Sequence, residues 1–200
     1  GTPVYHATSQ DFTEFDINKS NTGHGSAKAI FVSETPDATK YYQRGDKARV
    51  VEAVISPDAK IFDYKTDKDV IEEFLQSVPE QPSPDAISRG FTESPRAIRR
   101  DVIGSGNWGS IEGKEFQDFL KKKGYDGFRV MDMTGHEALG ITNPSKIKTR
   151  TQLEDIWKKA NQAPAVKTTP ELEEAKKYKS AEEFRKAYTA NSLMDLSDPQ

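Results

Sequence analysis

The sequence predicts an α+β fold, with a globular domain over residues 1–150 and a charged helical extension over residues 151–200. Several short β-prone segments are interleaved with helical segments, without the regular strand–helix–strand order of a parallel α/β sheet. No glycine-rich loop of the dinucleotide-fold or P-loop type occurs. From Arg150 onward, the remaining pattern is helical and highly charged.

The β-prone segments are short and rich in branched and aromatic residues, and turn-forming residues bound them. The clearest is the segment RVVEAVI at 49–55. The predicted strands are 3–8, 29–33, 49–55, 61–64, 126–132 and 137–142.

Helices are predicted where apolar residues recur at helical spacing behind a start signal. Thr35 is expected to cap a helix that begins at Pro36 and stops near Gly45. Ser180 and Glu183 have the spacing of a capping box. The other predicted helices are 67–76, 95–103, 111–123, the segment around 150–161, 171–177 and 180–188, whereas 18–28, 78–93, 162–168 and 191–200 are expected to be loops, linker or tail.

Composition excludes several classes of function. The net charge of −3 gives no global attraction to nucleic acid or to anionic membranes. Without cysteine the chain has no disulfide, no thiolate metal ligand and no cysteine nucleophile. His6, His24 and His136 have no zinc-like spacing, so no metal is expected. No apolar run approaches the ~20 residues of a membrane span, so no membrane partner is expected.

The sequence opens with Gly-Thr-Pro rather than Met, so we expect it to be a segment of a longer protein. No signal-peptide pattern is visible. We expect the protein to act in the cytoplasm, including that of a host cell into which it is delivered.

Four motifs occur in a characteristic order and together point to a family. They are His6-Ala7-Thr8 on the first strand; Ala29-Ile30-Phe31-Val32-Ser33 followed by Thr35-Pro36-Asp37-Ala38-Thr39-Lys40-Tyr41-Tyr42; Gly124-Tyr125-Asp126-Gly127-Phe128; and Glu137 ahead of Asn143-Pro144-Ser145-Lys146-Ile147-Lys148. In this order, residues 3–148 resemble the His–Tyr–Glu class of ADP-ribosyltransferases, of the diphtheria-toxin and poly-ADP-ribose-polymerase type. The chain looks most similar to the ADP-ribosyltransferase domains of phage polyvalent proteins. The resemblance implies a split β-sheet core with peripheral helices, and NAD⁺ as substrate.

The resemblance also implies roles for residues of the first strand. His6 would bind the ribose hydroxyls, and the backbone of Ala7 would pair with the nicotinamide carboxamide, with Thr8 in the same cofactor-binding motif. The family usually has glycine where this chain has Ala7, because the nicotinamide approaches the backbone closely.

The second motif implies aromatic side chains that pack against the nicotinamide ring. Tyr42 lies eleven residues after Phe31, at the position of the family's stacking tyrosine. Phe31 stands where the family has a first tyrosine, so it keeps the ring and loses the hydroxyl. Thr39 matches a position at which the polymerases bind the carboxamide with serine. For Phe31 and Tyr42, packing in the core is the competing interpretation.

Glu137 is the candidate catalytic carboxylate implied by the fourth motif. It would bind the ribose 2′-hydroxyl and stabilise positive charge at the anomeric carbon, as carboxylates do in glycoside hydrolysis. The family's glutamate lies about six residues before the proline, whereas Glu137 lies seven before Pro144. One extra residue in the turn at Thr142-Asn143 would restore the register and place Glu137 on the strand face of Leu139 and Ile141.

These residues predict an NAD⁺-dependent mono-ADP-ribosyltransferase, a glycosyltransferase of toxin or effector type from a phage or mobile element. The acceptor is expected to be a macromolecule, either a protein, which the acidic composition favours, or a nucleic acid. Four other interpretations stay open: NAD⁺ hydrolysis, RNA 2′-phosphotransfer, a degenerate NAD- or ADP-ribose-binding module without turnover, and a protein-interaction module that acts through the charged helical tail.

Overall fold

The computed structural model describes residues 1–20, 27–43, 45–79, 95–132, 134–162 and 169–194. In these ranges the chain is a mixture of helices and two β-sheets, which confirms the α+β fold class. The strands are β1 (Thr2–Thr8), β2 (Ile30–Val32), β3 (Arg49–Ile55), β4 (Ile61–Phe62), β5 (Gly127–Met131), β6 (Glu137–Ile141) and β7 (Ile147–Thr149).

The helices follow the predicted order along the chain. They are α1 (Pro36–Thr39), α2 (Lys68–Ser77), α3 (Pro95–Gly104), α4 (Trp108–Ile111), α5 (Lys114–Lys122), α6 (Arg150–Gln162), α7 (Pro170–Ala175) and α8 (Ala181–Met194). Short 3-10 helices cover Ile17–Lys19, Lys40–Tyr42 and Pro144–Lys146.

The two sheets differ in strand order and in pairing. The three-stranded sheet has the order β1–β3–β7 and is antiparallel throughout. The four-stranded sheet has the order β2–β6–β5–β4, in which only the β4–β5 pair is parallel. An isolated bridge between Tyr5 and Ser33 joins β1 to the end of β2. The sheets therefore meet along one line.

Three hydrophobic clusters form the core of the part of the molecule that the structure describes. Val4, Leu139 and Ile141 belong to the cluster between the two sheets. Phe62 and Phe128 belong to the cluster between the four-stranded sheet and helices α2, α4 and α5. On the outer side of the three-stranded sheet, Val54 packs with residues of α6, α7 and α8. Each sheet is thus covered on both faces, which fixes the direction in which every strand residue points.

The structure corrects three details of the predicted helices. The helix expected over 111–123 begins three residues later, as α5 at Lys114, because Gly113 is its N-cap, and Ile111 instead ends the separate short helix α4, which was not predicted. Thr35 makes no capping hydrogen bond, although Pro36 does begin α1. Helix α8 continues to Met194, through part of the segment expected to be a tail.

Other predictions of local structure have different outcomes. Glu183 N–H donates to Ser180 Oγ at 3.1 Å, which is one half of the predicted capping box, while the Glu183 carboxylate accepts from the N–H of Lys179 at 2.9 Å, one residue before the position that a capping box uses. Most of the expected excursion at 78–93, of the 18–28 loop and of the 162–168 linker lies outside the described residues. In the part of the chain that is described, no helix has both the length and the apolar character needed to cross a membrane.

Candidate active site

Strand β1 directs His6 into the space between the two sheets. Side chains alternate along a strand, so His6 shares the face of Val4, which is fully buried in the cluster between the sheets. The rings of Phe12 and Phe15 meet the imidazole edge-on, with centroids 6.0 and 5.4 Å away. These contacts hold the imidazole in one orientation.

The hydrogen bonding of His6 defines its tautomer. Nδ1 lies 2.7 Å from the carbonyl oxygen of Phe31, and since a carbonyl only accepts, Nδ1 must donate. Burial lowers the pKa of His6, and the bond to Phe31 opposes this only in part. At neutral pH the ring is therefore uncharged, and Nε2 keeps a lone pair with which to accept a hydrogen bond.

The backbone of Ala7 faces the line where the sheets meet. Tyr5 exchanges both of its backbone hydrogen bonds with Ser33, at 2.8 and 2.9 Å. Backbone groups two residues apart on a strand point the same way, so the N–H and C=O of Ala7 also point away from β3. The Tyr5–Ser33 bridge is isolated, so β1 and β2 diverge beyond it. Thr8 Oγ1 accepts from the N–H of Gln10 at 3.0 Å, in the turn after β1.

Glu137 begins β6 and lies on the strand face that is turned toward β1. It shares this face with Leu139 and Ile141, which are buried with Val4 between the sheets. Its side chain is 28% exposed. His6 and Glu137 therefore lie on sheet faces that are turned toward one another.

A β-bulge follows β6 at Thr142-Asn143. The backbone N–H groups of Thr142 and Asn143 both donate to the carbonyl oxygen of Asp126, at 2.9 and 3.1 Å. Two residues of one strand opposite a single residue of the next form a β-bulge. The bulge lies at the turn where the sequence predicts one extra residue.

The carboxylate of Glu137 receives donors from three side chains. Tyr64 Oη donates to Oε1 at 2.7 Å, and Lys65 Nζ lies 2.5 Å from the same oxygen. A guanidinium nitrogen of Arg129 lies 3.4 Å from Oε2. Burial raises the pKa of Glu137, but the hydrogen bonds from Lys65 and Tyr64 and the charge of Arg129 outweigh it, so the pKa lies below its usual value. Glu137 is therefore an anion at neutral pH.

Tyr42 links the strand of His6 to the hairpin of Glu137. The 3-10 helix Lys40–Tyr42 lies against β1, and Tyr42 Oη donates to Asp132 Oδ2 at 2.6 Å. Asp132 belongs to the turn between β5 and β6, where its N–H donates to His136. Burial, together with the bond to Asp132, raises the pKa of Tyr42, so its hydroxyl stays protonated. The ring is 47% exposed and is available to a flat ligand.

Two predicted site residues have their side chains engaged elsewhere. The ring of Phe31 lies on the helix-facing side of the four-stranded sheet and meets Phe128 edge-on at 6.1 Å, so only its carbonyl contacts His6. Thr39 is buried, and its hydroxyl donates to the carbonyl of Pro36 at 2.6 Å. Neither position adds a polar side-chain group to the space beside His6.

Sequence reasoning missed Tyr64, Lys65 and Arg129, and it gave Asp132 no role. Arg129 had the most visible signal, because it is a lone charge between Phe128 and Val130 in a β-strand. Strand alternation places it on the face opposite those two residues, which is the face of Glu137. Tyr64 and Lys65 follow β4 and are 73 and 72 residues from Glu137, so no local pattern links them to it.

A cavity lies away from the candidate site, between the three-stranded sheet and the helical extension. It has a volume of about 270 Å³, and Tyr5, Glu52, Arg150 and Arg185 are among the residues that line it. The ion pairs from Arg150 to Glu154 and from Arg185 to Glu182 already neutralise its two arginines. Among the described residues, no group of histidine, aspartate and glutamate side chains could hold a metal ion.

Comparisons of the chain with protein-family models, with curated proteins and with solved structures find no match. The functional assignment therefore rests on the arrangement of His6, Tyr42 and Glu137 and on the motifs that contain them.

Proposed function

We propose that this chain is an NAD⁺-dependent mono-ADP-ribosyltransferase with an ADP-ribosyltransferase-like split-sheet core. The observation that supports it is the placement of Glu137 and His6 on facing sides of the two sheets, with Tyr42 bridging their strands. An imidazole acceptor, an exposed aromatic ring and an ionised carboxylate are the groups that a nicotinamide riboside needs.

Each group has a defined task in this proposal. The backbone N–H and C=O of Ala7 pair with the carboxamide, and the Tyr42 ring packs on the nicotinamide. Nε2 of His6 accepts a hydrogen bond from a ribose hydroxyl, while Glu137 accepts one from the 2′-hydroxyl. When the bond between nicotinamide and ribose breaks, positive charge develops on the ribose, and the anionic Glu137 stabilises it.

The acceptor of the ADP-ribose is proposed to be a protein, with a nucleic acid as the alternative. The acidic composition of the chain gives no general attraction to a polyanion. Incubation of a cell lysate with NAD⁺ labelled in its adenylate part, followed by protease and nuclease digestion, distinguishes the two. Label that survives nuclease and is lost with protease indicates a protein acceptor.

Replacement of Glu137 tests the reaction itself. We expect Glu137→Gln to lower the rate of nicotinamide release by about 10²–10³-fold, because an amide cannot stabilise the developing charge as a carboxylate does. Glu115→Gln is the matched control, since Glu115 lies on α5 and pairs only with Arg99 among the described residues. Equal rates for wild type and Glu137→Gln, with both proteins folded, would falsify the assigned role.

A binding module without turnover is the second candidate, and the side chains of Ala7 and Phe31 favour it. Ala7 adds a methyl where close approach is needed, and the Phe31 ring packs away from His6. Calorimetry with NAD⁺ followed by a turnover assay separates the two. Binding without nicotinamide release, with or without lysate, would favour the module.

A further inference from the structure

The two oxygens of the Glu137 carboxylate have unequal surroundings. Oε1 accepts from Tyr64 at 2.7 Å and from Lys65 at 2.5 Å, which occupies both of its lone pairs. Among the described residues, Oε2 has only the 3.4 Å contact with Arg129. One lone pair of Oε2 is therefore left for a further donor.

Arg129 is held away from Glu137 by its other partners. It forms two hydrogen bonds to Glu34, at 2.6 and 3.2 Å, and its Nε lies 3.1 Å from Asp63. The Arg129 side chain is only 17% exposed, so its guanidinium group stays between Glu34 and Asp63. The long contact to Oε2 therefore supplies charge while leaving Oε2 accessible to a hydroxyl group.

Tyr64 is a rigid support for Oε1. Its side chain is buried, and its ring lies against the backbone of Gly106, where a Cβ atom would be only 2.6 Å from Cζ. Glycine is thus required at position 106 both by this contact and by its φ of 82°. Because this packing prevents the phenol ring from moving, its hydroxyl holds Oε1 of Glu137 at hydrogen-bond distance.

We infer that Tyr64 and Lys65 are positioning residues of the proposed reaction, which saturate one oxygen of Glu137 and aim the other at the ribose 2′-hydroxyl. The inference rests on the proposed function. It adds that the hydroxyl of Tyr64 and the charge of Lys65 act through Glu137 without touching the substrate.

The donors to Glu137 also affect how the rate of the proposed reaction depends on pH. Donors to a carboxylate favour its charged form, so removal of one raises the pKa of Glu137, and activity on the acid side is lost at a higher pH than in wild type. Several titratable groups surround Glu137, and its own titration must therefore be observed directly. They are Tyr64, Lys65 and Asp63 after β4, Arg129 on β5, Glu34 after β2, and His136, its neighbour in the chain.

Tyr64→Phe is the principal test, because it keeps the buried ring and removes only the hydroxyl. We expect kcat for nicotinamide release to fall roughly tenfold or more, the range for loss of a hydrogen bond to a charged group, with little change in the KM for NAD⁺. The acid limb of the rate profile and the NMR titration of the Glu137 carboxyl should both move to higher pH. Lys65→Met should act in the same direction, and Lys65→Arg should retain most of the activity.

Tyr178→Phe is the matched control. Its hydroxyl also donates to a carboxylate, that of Glu174 at 3.0 Å, and both residues belong to the charged extension on the outer side of the three-stranded sheet. We expect kcat and the Glu137 titration to stay as in wild type. An active wild type whose kcat and titration are both unchanged by Tyr64→Phe overturns the inference and leaves the proposed function standing. A wild type that releases no nicotinamide overturns both.

Discussion

At the scale of the single residue, the proposed function gives the two nitrogens of His6 separate tasks. Nδ1 donates to the carbonyl of Phe31 and so contributes to the junction between the sheets. Nε2 remains an acceptor and is the atom assigned to the ribose. Because these tasks belong to different atoms of one ring, substitutions that mimic one nitrogen at a time can separate an effect on stability from an effect on NAD⁺ binding.

His6→Asn is expected to weaken NAD⁺ binding with little loss of stability. The amide nitrogen of asparagine can occupy the place of Nδ1 and donate to Phe31, but no atom reaches the position of Nε2. Loss of one hydrogen bond corresponds to about 1 kcal/mol, so Kd should rise roughly five- to tenfold. Calorimetry measures Kd, and urea unfolding measures stability.

His6→Gln is the complementary control, because its amide can reach the position of Nε2 while the donor to Phe31 is lost. It should bind NAD⁺ better than His6→Asn and be less stable. The reverse ranking in binding would show that Nε2 does not contact the ligand.

At the scale of the element, two features fix the register of β6. Gly140 lies over the ring of Phe128, where a Cβ atom would be 2.6 Å from Cε2 and still closer to Cζ. A shift of the register by one residue would bring Leu139 or Ile141 against this ring. The pairing of Gly140 with Phe128 is therefore the register that the ring accommodates. The bulge at Thr142-Asn143 takes up the extra residue beyond the strand. Glu137 is thereby kept on the face turned toward His6.

Gly140→Ala is expected to lower the free energy of unfolding by about 1–3 kcal/mol, the usual cost of overpacking a core. Phe128 is fully buried and cannot move aside. In the double variant with Phe128→Leu, the smaller side chain leaves room for the new methyl, so the two destabilising effects should not add. Urea unfolding of the two single variants and the double variant measures the coupling. Simple additivity would show that Gly140 and Phe128 do not constrain each other.

Six of the seven strands among the described residues were predictable from sequence because local composition determines them, as in β3 and β6, whereas the short strand β7 was not predicted. His6 and Glu137 could be proposed from sequence because each lies in a short motif on a strand. Phe31 shows the limit of this approach: it has the eleven-residue spacing to Tyr42 on which its expected role was based, yet the buried positions of Ile30 and Val32 turn its ring toward the helices. Tyr64 contacts Glu137 only through tertiary packing, which no local pattern encodes.

At the scale of the whole molecule, the charged extension covers the outer face of the three-stranded sheet. Phe184 of α8, Leu153 of α6 and Val54 of β3 share one buried cluster. Tyr188 on α8 also hydrogen-bonds Ser56 at 3.1 Å, just beyond β3. Since β1 and β3 are paired throughout, the strand that holds His6 has the extension packed on its sheet.

Phe184→Ala is therefore expected to destabilise the whole domain as well as the extension. Truncation of a fully buried phenylalanine costs about 3–5 kcal/mol. Hydrogen exchange at the backbone of Ala53, in the centre of β3, should rise together with exchange in α6 and α8. Lys186→Ala on the same helix is the control, because its side chain is 73% exposed and should change stability by less than about 0.5 kcal/mol. If exchange rises in α6 and α8 while Ala53 stays protected, the extension unfolds independently, and His6 does not depend on it.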